Sequence, residues 1–415
     1  MNNRIISVFT FFIYWLLFFP TQIVIPNPTY DGWIKNLMIL LMIFYYRKNI
    51  VNIFSGNFKW FNISIFAFCI ISIISIILNA DSIGHYITTR IRDGEIFTYY
   101  GITSPKSTIY FSISLFAFSI FIEHLSKINK GKLFLFYLWR LSLLGLILID
   151  FDAFSHTVIG DSIGGYIVGT KFQVCYYNIY MCALYFLQHP SMRTVKEKVY
   201  LLCLIFITFA VSVHTKCSTM ITGAILFLFL SFFLPKRFRM KLSSDSFLII
   251  SILVIDLGLF FFSTYILQFS FVQHFIVDVL GEDLTLTGRL GIYQNIMNAF
   301  ETNPWFGFGN GNSRLISLFY TGVENPQNGI IEVFLNIGIL GCLSFFMIIY
   351  FGAKQVSEKD WYKYPIIVYL LTMIFISAIE VPFEKTFLFF CILLLLSQND
   401  LRDIKTTQHN GKAIN

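Results

Sequence analysis

The sequence predicts an all-α, polytopic membrane protein of about 12 transmembrane helices with a large outer loop that contains a short amphipathic helix. Three observations predict it. Hydrophobic residues make up 56% of the 415-residue chain and charged residues 13%, whereas a soluble domain carries roughly 25% charge. That deficit leaves too little charge to cover a water-facing surface, and it excludes an ordinary soluble enzyme, a disordered chain and a nucleic-acid binder. The mean hydropathy is +0.70, and the apolar residues come in uninterrupted runs of spanning length. The Lys and Arg residues alternate between crowded and sparse connections along the chain.

The runs are placed near 5–25, 33–46, 61–78, 109–125, 133–150, 171–188, 198–213, 217–234, 247–267, 330–351, 364–380 and 384–399. The second, seventh and last are short. The first follows Arg4 and is not trailed by a small-x-small cleavage site, so it is read as a retained span rather than a signal peptide. Backbone polar groups find no water in lipid, so each run is read as a helix. None alternates apolar and polar residues as a barrel strand would. With the N-terminus cytoplasmic, 20 of the 30 basic residues fall on the inner side and eight on the outer: Arg90, Arg92, Lys106, Lys171, Lys216, Arg289, Arg314 and Lys385. Lys35 and Arg140 lie within spans. The asymmetry places both termini inside and explains the net charge of +7 without a nucleic-acid partner.

Residues 1–399 therefore form one transmembrane helical domain, and 400–415 a polar cytoplasmic tail. The outer connections 79–108, 151–170 and 268–329 are long or Gly-rich, which marks them as functional. The seven Cys lie mostly in apolar runs without a C-x-x-C pair and are read as small buried apolar residues. The seven His have no ligand spacing, and no metal site or cofactor is expected. Asp150-Phe151-Asp152 is the one stretch that could hold a divalent ion with a pyrophosphate. Arg140 and Asp256 sit at similar depths in their spans, and a charge there is costly unless paired, so the two are expected to pair inside the bundle.

The strongest local signal lies in 281–341. Thr287 is a good N-cap, and Leu290, Tyr293, Ile296, Met297 and Phe300 follow on one helical face. Asn303-Pro304 ends that helix. Such a helix lies in the membrane interface. Arg289 falls in its first turn, beside free N–H groups and the positive dipole end, which makes an anion site. The alternative is that Arg289 snorkels to lipid phosphates. Trp305-Phe306-Gly307-Phe308-Gly309-Asn310-Gly311 is Gly-dense but lacks a Gly-Lys-Ser/Thr ending, and it reads first as a tight, aromatic-anchored turn. Glu324-Asn325-Pro326-Gln327-Asn328-Gly329 then sets polar side chains at the mouth of a span, as pocket lining or as helix capping.

Thr287-Gly288-Arg289, Asn303-Pro304-Trp305-Phe306-Gly307-Phe308-Gly309, Gln327-Asn328 and Gly338-Ile339-Leu340-Gly341 together resemble the signature region of bacterial O-antigen polymerases, O-antigen ligases and related exopolysaccharide polymerases. Gly169-Thr170-Lys171 and Thr215-Lys216-Cys217-Ser218-Thr219 fit the same pattern, so the resemblance covers roughly residues 165–345. It implies transfer of a glycan from undecaprenyl pyrophosphate to a sugar hydroxyl. The leaving diphosphate departs as an anion, so such chemistry needs fixed positive charge more than a general acid, and Arg suits it through bidentate contacts.

The candidate catalytic residues are thus Arg289, Glu324, Gln327 and Asn328, and the candidate substrate-binding residues Lys171, Lys216, Arg90, Arg92 and Arg314. Glu332, one turn into the following helix, and His214, beside Lys216, are weaker candidates for a base. The family often has His-Asn where this chain has Gln327-Asn328, and in ligases that His is thought to act on the acceptor, so the departure favours a polymerase. Implied partners are lipid-linked donor and acceptor oligosaccharides, the bilayer and a polysaccharide chain-length regulator. Rival readings are a ligase moving the finished glycan, and a flippase, which would gather its charges around a midplane cavity.

Overall fold

The computed structural model describes residues 3–18, 28–54, 56, 58–80, 89–92, 95–98, 105–156, 165–242, 245–258, 269–274, 277–278, 289–354 and 361–396. Among the described residues the regular structure is helical apart from one short hairpin and an isolated bridge between Tyr166 and Gly169. The helices are α1 (Asn3–Phe18), α2 (Pro28–Ile53), α3 (Lys59–Leu78), α4 (Pro105–Lys127), α5 (Gly131–Ser155), α6 (Lys171–Gln188), α7 (Val195–His214) and α8 (Ser218–Leu228). They continue with α9 (Lys236–Leu242), α10 (Asp245–Ile252), α11 (Ser270–His274), α12 (Arg289–Thr302), α13 (Ser313–Thr321), α14 (Gly329–Lys354), α15 (Tyr364–Ser377) and α16 (Lys385–Leu393). α8 and α10 each run on into a single π turn.

Each apolar run of the sequence overlaps one of these helices, while its positions 19–25, 259–267 and 397–399 lie outside the described residues. Five, α3, α4, α5, α7 and α14, are long and apolar enough to cross a membrane, and three shorter apolar helices accompany them. Length and hydropathy therefore identify fewer spans than 12 among the described residues. The reasons are local: α2 carries Asp31, Lys35, Arg47 and Lys48, α6 carries Gln173, Asn178 and Gln188, and α16 is short.

The interior is built on α6, α15 and α16. In α6 every residue from Val174 to Leu187 is buried, as are nearly all of α15 and the run Phe387–Leu396. The outer helices expose apolar stripes at helical spacing: Phe66, Ile70, Ile74 and Ile77 on α3, and Leu202, Phe206, Phe209 and Val213 on α7. Continuous apolar surface of that extent, in a chain with so little charge, belongs against lipid.

The connections hold more structure than sequence periodicity indicates. Segment 79–108 contains an antiparallel pair, Thr89–Arg92 with Glu95–Thr98, in which Arg90 opposes Phe97 and Arg92 opposes Glu95. Among its described residues, segment 268–329 holds α11 and α13 in addition to α12. α12 covers the expected helix and stops before Asn303-Pro304, but of the expected apolar face Met297 is exposed; the Leu290 side chain and the expected cap, Thr287, lie outside the described residues. Ile292, Tyr293, Ile296 and Ala299 from α12 join Phe308, Leu315, Ile316, Ile331 and Leu335 in a second, smaller core.

The expected Arg140–Asp256 pair does not form. Arg140 is exposed, with its guanidinium 4.2 Å from the Phe136 ring centroid. Asp256 is buried and accepts the Ser377 hydroxyl, with both carboxylate oxygens within 2.8 Å. Depth along a span follows from sequence, but rotation about its axis follows from packing, and the two residues face opposite ways. Arg140→Gln and Asp256→Asn should therefore destabilise additively to within about 0.5 kcal/mol, whereas Asp256→Asn and Ser377→Ala should couple by about 1 kcal/mol. Thermal unfolding of the detergent-solubilised single and double variants reads both; coupling in the first pair alone would reverse the assignment.

Candidate functional site

Gly338 breaks α14 with φ 65° and ψ −166°. An intact helix would bond the Ile339 N–H to the Leu335 carbonyl and the Leu340 N–H to the Asn336 carbonyl. The break frees all four groups, and the Pro304–Gly309 turn takes them up. Phe308 N–H donates to Leu335 O at 2.7 Å and Gly309 N–H to Asn336 O at 3.0 Å, while Ile339 N–H donates to Pro304 O at 2.8 Å and Leu340 N–H to Trp305 O at 3.2 Å. Two glycines let the backbones meet: a Cβ on Gly307 would lie 2.7 Å from the Gly338 nitrogen.

Side chains complete this clasp. The Ser75 hydroxyl lies against the Phe306 and Asn336 carbonyls and accepts the Gly309 N–H at 3.0 Å. Asn79 donates to Gly307 O at 2.9 Å and accepts from Asn303 at 2.9 Å. The Asn336 amide oxygen accepts the N–H groups of Gly311 and Ser313 at 2.9 and 3.0 Å, which anchors the start of α13. The N–H groups of Phe308, Gly309, Gly311 and Ser313 are thus all spent inside the protein. The Gly-rich segment is a structural clasp and has none of these four left to cradle a phosphate.

Contacts link several of the remaining candidates to the connection between α15 and α16. Thr170 caps α6 in a reciprocal pair with Gln173, which places Lys171 at the first helical position. The Lys171 ammonium lies 3.5 Å from the Lys216 carbonyl, in the tight turn between α7 and α8 where Lys216 has φ 52°. Gln173 also donates to Glu384 at 2.9 Å, tying the start of α6 to the α15–α16 link. From the other side, the Tyr293 hydroxyl of α12 reaches the carbonyls of Gln327 and Ala378 at 3.2 and 3.3 Å. Arg289 opens α12 one helical turn before Tyr293.

The Gln327-Asn328 pair has an unusual constitution. Gln327 has φ 52°, the left-handed region that side chains disfavour. Its N–H donates to the Asn325 amide oxygen at 2.8 Å. Asn328 is buried and caps α14, its side-chain oxygen accepting from Ile330 and Ile331, each at 3.0 Å. Two buried polar atoms remain without a protein partner, Gln327 Oε1 and Asn328 Nδ2. Native interiors rarely leave such groups unmade, and each needs an explanation.

Not every predicted residue joins these contacts. Glu324 is half-buried and makes no hydrogen bond or ion pair among the described residues. Glu332 accepts the Ser313 hydroxyl at 3.1 Å and lies within electrostatic range of Glu384 and Arg314, so it stands between the start of α13 and the α15–α16 link. Arg90 and Arg92 lie on the hairpin, but their side chains, like that of Arg289, fall outside the described residues. His214 packs against Phe154 with ring centroids 4.9 Å apart. Asp150 accepts from Asn178 at 2.8 Å and Asp152 from the Ile167 N–H at 2.7 Å. No group of three or more His, Cys, Asp or Glu with metal-ligating geometry occurs among the described residues.

Sequence reasoning missed Glu380. It is buried in the α15–α16 link and accepts from Asn325 at 3.3 Å, so it is the carboxylate joined to the Gln327 turn. Its signal was present but weak: a lone acid between two apolar runs.

Comparison with known proteins places residues 201–346 in a match to the family model described as O-antigen ligase. The matched stretch holds Lys216, Arg289, Arg314, Glu324, Gln327 and Asn328, and the clasp from Asn303 to Gly341. The resemblance seen in the sequence stands over that stretch. No curated protein matches the chain.

Proposed function

We propose, taking the O-antigen ligase family match as the premise, that this chain is a membrane glycosyltransferase that polymerises undecaprenyl-pyrophosphate-linked oligosaccharide repeat units into O-antigen or capsular polysaccharide. It works on the outer face of the bacterial plasma membrane, with both termini cytoplasmic. The donor is the growing chain on its lipid diphosphate, the acceptor a single lipid-linked repeat unit, and a chain-length regulator acts alongside. The observation that carries this reading is the unpartnered pair of enclosed atoms, Gln327 Oε1 on a half-buried residue and Asn328 Nδ2 on the buried residue beside it. One accepts a hydrogen bond and the other donates one, and a sugar hydroxyl does both.

The division of labour follows from the chemistry. The diphosphate leaves as an anion, so cations at the rim stabilise the charge that develops; Arg289, Lys171 and Lys216 supply them. A glutamine cannot take a proton at neutral pH, so Gln327 and Asn328 orient the attacking hydroxyl; as its oxygen bonds to the sugar carbon and the bond to the diphosphate breaks, its proton passes to an oxygen of the departing diphosphate. No divalent ion is required in this scheme.

A ligase is the second reading, and the family description favours it. It would move the finished glycan to a lipid or protein acceptor. The absence of histidine at Gln327 favours polymerisation. Purified protein incubated with a synthetic lipid-linked repeat unit and a chelator separates the two. A product ladder on a gel is expected. Transfer of one intact glycan to a separate acceptor without a ladder would establish the ligase, and no product until a divalent ion is restored would overturn the metal-free scheme. In cells, loss of a polymerase leaves one repeat unit on the surface acceptor, and loss of a ligase leaves none.

A further inference from the structure

We infer that Glu380 is a positioning residue of this same site, setting the direction of the Gln327 amide through Asn325. The inference rests on the reading of Gln327 as the group that meets the acceptor hydroxyl. Glu380 lies in the link between α15 and α16, and only 3% of it is exposed. A carboxylate oxygen accepts hydrogen bonds, and Glu380 Oε2 accepts one from the Asn325 NH2 group at 3.3 Å. That orientation turns the Asn325 oxygen the other way, onto the Gln327 N–H at 2.8 Å.

This second bond closes an Asx turn, which holds Gln327 at φ 52°. For a residue with a side chain that conformation is strained, and it persists only where neighbours over-determine it. The neighbours here act in concert. The Tyr293 hydroxyl bridges the Gln327 carbonyl to the Ala378 carbonyl, two residues before Glu380. One link of chain thus fixes Gln327 from both its N–H and its carbonyl, while Asn328 is fixed by capping α14. Glu384, in the same link, holds Gln173 and with it the start of α6, where Lys171 stands. The α15–α16 link therefore sets the orienting amides and one rim cation in a common frame.

The test compares Glu380→Gln, Glu380→Ala, Asn325→Ala, Gln327→Ala and the double variant Glu380→Ala/Gln327→Ala in the full-length purified protein. Initial ladder rates are read against acceptor concentration and pH. Glu380→Gln retains an acceptor for Asn325 and should keep its rate within a few-fold, with an unchanged pH profile. Glu380→Ala and Asn325→Ala should each raise the acceptor KM and lower the rate, up to on the order of a hundredfold, the scale of a small misplacement. The double variant should be no slower than Gln327→Ala alone, because the relay acts only through that residue. Glu380→Gln as inactive as Glu380→Ala, with an altered pH profile, would overturn the inference in favour of direct proton transfer, and additive losses in the double variant would also overturn it. Gln327→Ala with undiminished rate would instead sink the proposed role of the amide pair, and the relay with it. If Glu380→Ala does not fold, the Glu380→Gln and Asn325→Ala results still decide the matter.

Discussion

Gly338→Ala is expected to prevent accumulation of folded protein. The backbone there has φ 65° and ψ −166°, a region open essentially to glycine alone and worth about 1–3 kcal/mol of strain to any other residue. The new methyl would lie 2.4 Å from both the carbonyl carbon and the carbonyl oxygen of Trp305. Those are backbone atoms, so the contact cannot be relieved by a side-chain rotation. Relief requires the Pro304–Gly309 turn to withdraw, which strands the backbone groups of Leu335, Asn336, Ile339 and Leu340 that the turn now satisfies. Each stranded group costs about 1–3 kcal/mol. Two of them plus the strain already consume a large share of the roughly 5–15 kcal/mol that holds a domain folded. Gly322→Ala is the matched comparison: φ is 75° there too, but no heavy atom lies within 4 Å of the new carbon, so only the strain of about 1 kcal/mol remains. Size-exclusion profiles and thermal midpoints of the two solubilised variants check this. Similar behaviour of both would mean that the clasp does not hold α14 together.

The break at Gly338 shows where sequence periodicity stops informing. Ile330 to Phe351 reads as one apolar run, and hydropathy does not register a helix interrupted midway. The partner turn, 304–309, is legible as a tight turn, but its partner is not, because Gly307 and Gly338 lie 31 positions apart. The amphipathic α12 and its stop at Asn303-Pro304 are legible because period, proline and terminating asparagine agree. Lys171 and Lys216 could be suspected from their sequence settings, but their meeting at 3.5 Å follows from the packing of α6 against the α7–α8 turn. Glu380 was missed because nothing local distinguishes it from a solvated loop acid; its meaning comes from Asn325, 55 positions earlier. The Arg140–Asp256 expectation failed on the same ground, since pairing needs orientation about the helix axis as well as depth. Residue types and spans are local properties of sequence, whereas the relay and the clasp are products of tertiary approach.

Arg289→Ala should abolish chain extension while leaving insertion and folding intact. Arg289 heads α12, and the positive end of a helix dipole favours an anion. Tyr293, one turn on, touches the carbonyl of Gln327, so the charge is carried by the helix that also braces the orienting amides. Removing a fixed donor aimed at developing charge typically costs about 10²–10³ in rate, and that is the loss expected in the ladder assay. Arg289→Lys keeps the charge but loses the planar fork that grips two phosphate oxygens, and it should fall between the wild type and the alanine variant. Gly291→Ala controls for damage to the helix. The position is exposed, no heavy atom lies within 4 Å of the new carbon, and alanine favours a helix over glycine by up to about 1 kcal/mol. It should leave both rate and melting temperature at or above the wild-type values. Because a diphosphate carries charge in the ground state as well, the two effects of the guanidinium separate kinetically. A loss confined to donor KM would mean that Arg289 only binds the lipid diphosphate, while a loss in kcat would mean that it stabilises the departing group. An Arg289→Ala protein extending chains within twofold of the wild-type rate would remove the cation on which the proposed chemistry most depends.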